Sequence, residues 1–288
     1  MANVKELKVR IGSTTSTLKI TSAMKLVSAA KLSKAQSRVQ GFKPYSMELD
    51  KTVRTAAALA ESYSHKYLKE STSKRIALLV VSSNKGLCGS YNSSVSRKAK
   101  AFLAENSDVD LYFIGKKAKD LLKRDGFKGI KTFDYEKQDP KFSEAQEIIA
   151  ELSEQFTSEK IGKVFVVWNS FVSAIEFKTS LKQILPMTVS KKEKEELVKE
   201  FPVDFKYEPS ATEILDSLIP EVLNTTAFTC MLDAIAAEHG TRMTAMDNAT
   251  TNSKEMIKTL TLKMNKIRQA AITTELTEIV SGAESLKS

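Results

Sequence analysis

The sequence has few of the residues that build disulfide frameworks, metal sites and membrane spans. Its 288 residues include two cysteines, Cys88 and Cys230, and two histidines, His65 and His239. Two cysteines do not make a disulfide framework, and they fit a reducing compartment. Because these residues are far apart and the acidic residues do not cluster, we expect no metal site. No run of about 18 apolar residues is present, so the sequence predicts no transmembrane helix.

Acidic and aromatic residues are scarce at the start of the chain. Residues 1–40 contain eight Lys and Arg residues against Glu6 alone, and they contain no aromatic residue. A basic helix can be a solvated face, or it can bind nucleic acid, an anionic membrane or an acidic protein surface. Without aromatic side chains or bulky apolar anchors, nucleic acid and direct membrane binding are disfavoured. Because a heptad pattern continues through the segment, we expect it to be mature structure and not a cleaved leader.

Proline is absent before Pro44 and after Pro220, which leaves room for a long helix at each end of the chain. Gly41 and Pro44 predict a bend or break in the first helix, with helix again over residues 47–67. Two stripes with alternating spacings of three and four residues predict an antiparallel coiled coil. The first stripe contains Val4, Leu7, Ile11, Thr14 and Leu18 and then shifts to Ile20, Met24 and Val27. The second contains Met246, Thr250, Ser253, Ile257, Leu260, Met264, Ile267, Ala271 and Thr274.

The middle of the chain predicts an α/β domain with a mainly parallel sheet. Short apolar runs, typical of buried strands, alternate with helical segments. The strands are expected at 76–81, 111–115 and 163–168, and the helices at 93–105, 116–124 and 142–156. Ser143 is the expected N-cap of the last of these helices. A further strand, antiparallel at an edge, is expected within 171–186, and a charged loop over 187–210.

These patterns divide the chain into segments with different architectures. We expect an N-terminal coiled-coil helix over 1–70, a central Rossmann-like α/β domain over 71–210, and a C-terminal coiled-coil helix over 211–288. The predicted fold class is therefore α/β, with a long antiparallel coiled coil made by the two ends of the chain.

The glycine-containing turn at residues 84–92 is the place where an α/β fold would bind a phosphate. It lacks the spacing of both the dinucleotide-binding fingerprint and the P-loop, so a structural turn is favoured over a nucleotide site. Cys88 in this turn would need a nearby base to act as a nucleophile. Both histidines lie on predicted helices, so we expect no catalytic residue and no cofactor.

Three motifs stand out along the chain. The first is Arg10-Ile11-Gly12-Ser13 followed by a run from Lys19 to Leu32, which contains Ile20-Thr21-Ser22-Ala23-Met24. The second is Gly86-Leu87-Cys88-Gly89 followed by Tyr91-Asn92. The third begins at Arg242-Met243 and continues through Arg268-Gln269 to Ile279. Over essentially its whole length the chain therefore resembles the family of gamma subunits of F-type ATP synthases, of the bacterial type, which usually has lysine at the position of Ser22.

The resemblance implies a central rotor shaft rather than an enzyme. In that family the paired terminal helices enter a ring of alternating alpha and beta subunits, and the central domain lies near the epsilon subunit and the c-subunit ring. Ion flow turns the c ring and the shaft, and the turning shaft drives ATP synthesis or hydrolysis at the beta sites. The implied location is the cytoplasmic face of the bacterial inner membrane, with membrane association only through the complex and no contact with nucleic acid.

The resemblance also assigns contacts with the beta subunit. Arg268 and Gln269 would form a catch that hydrogen-bonds a beta-subunit loop, with Thr273 and Glu275 close by on the same helix. Met24 and Lys25 would face the moving lever of beta, and the turn of Gly86, Leu87, Cys88 and Gly89 would approach beta from the central domain. The region near Tyr207 would contact the epsilon subunit or the c ring.

Alternatives from other functional classes make different predictions. A coiled-coil adaptor with an α/β head would self-associate or bind another partner, without effect on an ATPase. A nucleotide-using enzyme built on the central sheet would bind its ligand at residues 86–89. The absence of cysteine over residues 187–210 argues against the thiol switch found in plant plastid forms of the family.

Overall fold

The computed structural model describes residues 2–60, 63–133, 139–188 and 205–285. The chain forms two compact units, and in the sequence one of them lies between the two segments of the other. Residues 1–28 and 242–288 form one unit, and residues 29–241 form the other. The elements, in chain order, are α1 (Ala2–Leu59), β1 (Ile76–Val81), α2 (Tyr91–Glu105), β2 (Val109–Ile114), α3 (Lys116–Arg124), β3 (Gly129–Phe133), α4 (Phe142–Thr157), β4 (Lys163–Phe171), β5 (Phe177–Leu185) and α5 (Ala211–Ser285).

The unit of residues 29–241 is built on a five-stranded sheet with the order β3-β2-β1-β4-β5. The first four strands are parallel, and β5 pairs antiparallel with β4 at the edge, as the sequence predicts. β1 is the central strand, and five of its six residues are buried because both of its faces are covered. The continuous apolar run at 76–81 is the signature of such a strand.

Side chains of β1 alternate between cores on the two faces of the sheet. Leu79 belongs to a core with α4 and parts of α1 and α5, whereas Leu78 belongs to a second core with α2 and α3. The alternation follows from the two-residue period of a strand. The result is a three-layer α/β/α arrangement, which confirms the predicted class.

Helix α1 differs from the sequence-based expectation in its continuity and in its end. No break occurs at Gly41 or Pro44: the helix continues through Pro44, although proline removes a helix hydrogen bond. Tertiary packing supports the helix there, because the Phe42 ring packs edge-to-face on Phe228 with centroids 4.9 Å apart. The helix then ends at Leu59 and does not extend to residue 67, so His65 lies outside a helix.

Two local predictions near β3 and α4 are also corrected. The sequence did not predict β3, because its residues are mostly exposed and only Phe133 is buried. An exposed edge strand lacks the apolar run that identifies a buried one. Helix α4 begins at Phe142 as expected, but its N-cap is Lys141 and not Ser143, and the Lys141 N–H donates to the Glu144 carboxylate at 2.9 Å. Ser143 is therefore inside the first turn. Of the loop expected over 187–210, residues 189–204 lie outside the described residues.

The unit of residues 1–28 and 242–288 is an antiparallel helix pair. Contacts that define its direction are Thr14 Oγ1 to Met256 Sδ at 3.9 Å, Thr250 Oγ1 to Thr21 Oγ1 at 2.9 Å, and Lys25 Nζ to Asp247 Oδ1 at 2.7 Å. As the residue numbers on α1 increase from 14 to 25, the residue numbers of the partners on α5 decrease from 256 to 247, which confirms the antiparallel coiled coil. The predicted seam on α5 is buried or half-buried from Met246 to Ala271, but Thr274 is exposed.

The predicted shift of the stripe on α1 is wrong. Ile20 and Val27 are 60% and 56% exposed, whereas Thr21 and Ser28 are buried. The seam thus keeps a continuous alternation of three and four residues from Val4 to Ser28. Ile20 and Val27 were predicted to lie in the seam because they are apolar. The helical period instead places the hydroxyl residues Thr21 and Ser28 against α5.

Candidate partner-contact surfaces

The last segment of α5 leaves the helix pair. Every residue from Ile272 to Ala283 is exposed, whereas the seam is buried or half-buried as far as Ala271. Extending the register of the pair places the first turn of α1 opposite residues shortly before this exposed run. The end of α5 is thus a single helix whose whole circumference is accessible within this unit.

An apolar stripe runs along this single-helix segment. It consists of Ile272, Leu276, Ile279 and Val280, which are between 49% and 67% exposed. Their spacing of four, seven and eight residues places them on one face of the helix. A contiguous exposed apolar face of this kind marks a protein interaction surface. This stripe was not predicted, although its spacing is visible in the sequence.

Arg268, Gln269, Thr273 and Glu275 are all exposed on α5, at the point where the helix pair gives way to the single helix. Thr273 uses its hydroxyl to donate to the Gln269 carbonyl at 3.0 Å, which is a local bond within the helix. The four residues therefore lie within two turns of one another, with their polar groups accessible to a partner.

Met24 and Lys25 lie on α1 in the same unit, and both are half-buried. The Lys25 ammonium pairs with Asp247, but the two side chains are 40% and 51% exposed. Solvent screens an ion pair at this exposure, and such a pair adds about 0–1 kcal/mol to stability. Lys25 can therefore exchange Asp247 for another acidic group at little cost.

The turn of residues 86–89 belongs to the other unit and presents its residues unequally. Leu87 is 64% exposed, whereas Cys88 is 2% exposed and packs with Tyr91 and Ala237. Leu87 has a φ of 61° and Gly89 a φ of 54°. The left-handed conformation at Leu87 is uncommon for a residue with a side chain, and it turns this apolar group outward.

Asn92 fixes the inner side of this turn. Its side-chain amide N–H donates to Cys88 Sγ at 3.2 Å, and its Oδ1 accepts from the Ser83 N–H at 3.1 Å. Ser83 also donates from its hydroxyl to the Lys85 carbonyl at 2.6 Å. Cys88 is thus a buried structural residue held by an amide, while Gly86, Leu87 and Gly89 form the accessible surface.

The carboxyl edge of the sheet does not present a phosphate site at α3. The first N–H groups of α3 donate to protein atoms: Lys116 to Asn84 Oδ1, Lys117 to the Ser83 carbonyl, and Ala118 to Ser82 Oγ, at 3.0–3.1 Å. A phosphate at a helix N-terminus needs these N–H groups. Residues that follow β1 occupy these N–H groups instead.

In the described part of the chain, no group of His, Cys, Asp and Glu side chains is arranged so that it could hold a metal ion. Among the same residues, no helix is both long enough and apolar enough to cross a bilayer.

Comparisons with known proteins agree on one family. The family model described as ATP synthase matches residues 3–286. The ATP synthase gamma chain of Christiangramia forsetii is 40% identical over 297 residues, covering 99% of each chain.

Solved structures give the same result. A chain from the central stalk and c-ring structure of the Tetrahymena thermophila mitochondrial ATP synthase matches with a TM-score of 0.60 and 25% identity, covering 80% of this chain and 99% of that one. A chain of the Euglena gracilis mitochondrial ATP synthase, from a structure of OSCP, F1 and the c-ring, matches with a TM-score of 0.71 and 18% identity, covering 99% and 95%.

Proposed function

Because the chain belongs to the ATP synthase gamma-chain family, we propose that its helix pair is the part of the rotor that acts on the catalytic ring. The chain is the central stalk subunit and not the catalytic one. It couples rotation of the membrane ring to ATP synthesis and hydrolysis in the ring of alpha and beta subunits. The segments 1–70 and 211–288 would supply the shaft, whose paired part is residues 1–28 and 242–288, and residues 71–210 would belong to its head.

The single helix at the end of α5 is the observation that carries this proposal. Its apolar stripe of Ile272, Leu276, Ile279 and Val280 would be unfavourable in water without a partner. A closed ring of subunits would surround such a helix and bury its stripe. A helix exposed around its whole circumference suits a ring that contacts it from changing directions as it turns.

Arg268, Gln269, Thr273 and Glu275 are proposed as the polar contacts of this segment with the beta subunit. Arg268 provides a planar set of donors, and Gln269 provides both a donor and an acceptor. Exposed polar groups beside an apolar stripe would orient the bound partner, while the stripe would contribute most of the area buried against it. Their exposure in the free chain supports the assignment.

Met24 and Lys25 are proposed to meet the moving lever of the beta subunit. Lys25 has an exposed and exchangeable ion pair, so an acidic group on beta can replace Asp247 as its partner. The many other basic residues in 1–40 extend the same positive field.

The turn of residues 86–89 is proposed as a third contact with beta. Gly86, Leu87 and Gly89 would form this contact directly, because they are exposed. Cys88 would act by holding the shape of the turn, since its thiol is buried and receives the Asn92 amide.

The remaining partners are the epsilon subunit and the c-subunit ring, which we place near Tyr207. This residue hydrogen-bonds the Ala56 carbonyl at 3.4 Å, and the neighbouring Phe205 is 37% exposed. The chain would then work at the cytoplasmic face of the bacterial inner membrane in an enzyme that transports ions, held there by the complex alone.

Hydrolysis of MgATP by alpha and beta subunits from the same source tests the proposal. We expect one copy of this chain to join three copies of each subunit and to raise sustained turnover. A variant with Ile272, Leu276 and Ile279 changed to serine should join the ring poorly. A matched variant with Ile130, Val172 and Ile175 changed to serine, all exposed positions in the unit of residues 29–241, should join the ring normally. If the folded wild-type chain neither joins the ring nor changes turnover, the rotor assignment fails and the adaptor alternative replaces it.

A further inference from the structure

Strand β3 forms an open edge of the sheet in the unit of residues 29–241. It is the outermost strand, and it pairs with β2 alone. Three of its five residues are exposed, and only Phe133 is buried. Among the described residues, no backbone group pairs with β3 from its outer side. An edge of this kind presents N–H and C=O groups that another strand can pair with.

The opposite edge of the same sheet is less accessible. Strand β5 has nine residues, and only one of them, Lys178, is exposed. Its Lys182 ammonium pairs with Asp50 of α1 at 3.1 Å, so α1 packs against this strand. The two edges therefore differ, and β3 is the one that a further strand can reach.

The side chains of β3 alternate between the two faces of the sheet. Phe133 belongs to the core that includes α4, and Lys131 pairs with Glu151 of α4 on the same face. Ile130 therefore lies on the other face, which α2 and α3 cover. It is 62% exposed and is not part of the core on that face. An added strand could place an apolar side chain beside Ile130 as a cross-strand neighbour.

The segment that leads into β3 is strongly basic. Residues 116–131 contain seven Lys and Arg residues against Asp120 and Asp125, and Asp125 pairs with Lys100. Helix α3 contacts both β2 and β3, so its charges lie beside the open edge. The exposed cations that take part in no ion pair among the described residues are Lys119, Lys123, Arg124 and Lys128.

Charge distinguishes the strands that could pair with this edge. A second copy of the chain would bring its own basic β3 segment, and like charges on neighbouring strands repel each other. Lysine at a sheet edge is a common means of preventing such self-pairing. An acidic strand would instead be attracted by the same cations. An anionic membrane would also be attracted, but it would leave the backbone groups of β3 and the Ile130 side chain without partners.

We propose that β3 is a docking edge for an extended acidic segment of a partner protein, which pairs with it as a sixth strand of the sheet. Carboxylates of the segment lie near the cations of α3 and Lys128, and an apolar residue of the segment packs on Ile130. The edge contains none of the residues proposed to contact the catalytic ring. Its occupation is therefore a separate question from the rotor role.

Binding of a synthetic peptide to the full-length chain tests the proposal. The peptide has blocked ends, is about seven residues long and alternates glutamate with valine, so that its charged and apolar side chains lie on opposite faces of a strand. Isothermal titration calorimetry should show saturable binding. Hydrogen exchange followed by mass spectrometry should show slower exchange over residues 129–133 in the presence of the peptide.

The same peptide with N-methyl groups on alternate residues separates strand pairing from attraction between charges. It keeps all the carboxylates but loses the N–H donors on one side of the strand. We expect it to bind roughly tenfold more weakly or worse, because at least one or two hydrogen bonds are lost. Equal binding of the two peptides would overturn the proposal, because the backbone of β3 would then not take part.

Lys128→Glu tests the location of the binding site. It reverses a charge next to β3, and we expect the peptide to bind roughly threefold to tenfold more weakly. Lys178→Glu, on the opposite edge of the same sheet, is the matched control and should bind the peptide like the wild type. Circular dichroism would check that both variants are folded. Equal affinities of the two variants would place the peptide elsewhere and overturn the proposal.

Vesicles made of equal parts phosphatidylcholine and phosphatidylserine test the membrane as the alternative occupant. We expect the chain to bind the peptide with protection of residues 129–133 and to bind these vesicles no better in the wild type than in Lys128→Glu. Loss of vesicle binding in Lys128→Glu, together with no saturable binding of the peptide, would overturn the proposal and assign the basic surface to an anionic membrane.

Discussion

The central sheet and the helix pair are held together by different interactions. In the sheet, Leu78, Leu79 and Val80 are at most 1% exposed and pack against apolar residues on both faces. In the helix pair, Thr21 and Thr250 are buried at 8% exposure, and they hydrogen-bond each other across the seam. Burial of large apolar side chains stabilises the sheet. The small hydroxyl residues in the seam bury less apolar area, so the hydrophobic effect stabilises the helix pair less. The sheet unit is therefore held mainly by apolar packing, whereas the helix pair relies more on polar contacts along its seam.

The largest effect should come from a cavity in the sheet. Leu78→Ala removes a side chain that is fully buried in the central strand. We expect it to lower the free energy of unfolding by about 2–5 kcal/mol, the usual range for such a truncation. Denaturant unfolding followed by circular dichroism would measure it, with Leu26→Ala, at a position 67% exposed, as the matched control. Equal losses in the two variants would contradict the comparison.

A smaller and pH-dependent effect is expected at Asp50. Burial raises the pKa of this carboxyl, but the Arg54 and Lys182 cations and their hydrogen bonds outweigh burial and lower the pKa below its ordinary value. A carboxyl with a lowered pKa in the folded state stabilises the protein above the unfolded pKa of about 3.9, and this contribution is lost as the pH falls through the folded value.

Asp50→Asn should therefore destabilise the chain at pH 7, by about 1.5 kcal/mol for the charged hydrogen bonds that are lost. The gap between variant and wild type should close as the pH falls below about 4. Unfolding curves recorded from pH 7 down to acid measure both features. Asp120→Asn, on the exposed face of α3, serves as the control and should show no such convergence. A gap that is constant with pH would rule out this account of Asp50.

In the helix pair the expected effects are smaller still. Thr21→Val leaves Thr250 without its cross-helix acceptor, and we expect a loss of about 1 kcal/mol. Changing both residues to valine replaces a polar pair by an apolar pair of similar shape, so the double variant should lose less than the sum of the single ones. Thermal unfolding of the single and double variants measures this coupling. Strict additivity would mean that the Thr21–Thr250 bond contributes nothing to the pair.

The elements that the sequence predicted well are those whose signal is local. The apolar run at 76–81 and the strand–helix alternation after it depend on periodicity, and the edge strand at Phe177–Leu185 is where it was expected. The seam of α5 from Met246 to Ala271 follows in the same way from spacing. The family resemblance to the ATP synthase gamma chains rested on motifs and is confirmed by relatives over the whole chain.

Predictions failed where tertiary contacts override the local signal. Pro44 predicts a bend or break, but Phe42 packs on Phe228 and the helix continues. Ile20 and Val27 resemble seam residues by composition, yet they are exposed because the register with α5 places Thr21 and Ser28 inward.

The exposed end of α5 should show the smallest effect on stability and yet a clear effect on function. Gln269 is exposed, and we expect Gln269→Ala to change the free energy of unfolding by less than about 0.5 kcal/mol, as for most surface substitutions. Assembly with alpha and beta subunits should be retained, because the apolar stripe from Ile272 to Val280 is intact. Turnover of MgATP should fall, because a hydrogen bond made during rotation is lost.

Lys263→Ala, an exposed position on the same helix within the paired segment, is the matched control and should keep normal turnover. Normal turnover in a fully assembled Gln269→Ala complex would remove Gln269 from the contact surface. A fall in stability with unchanged turnover would instead make it a structural residue of the helix, and the contrast between the paired and single parts of α5 would then have to be drawn from Arg268 and the apolar stripe.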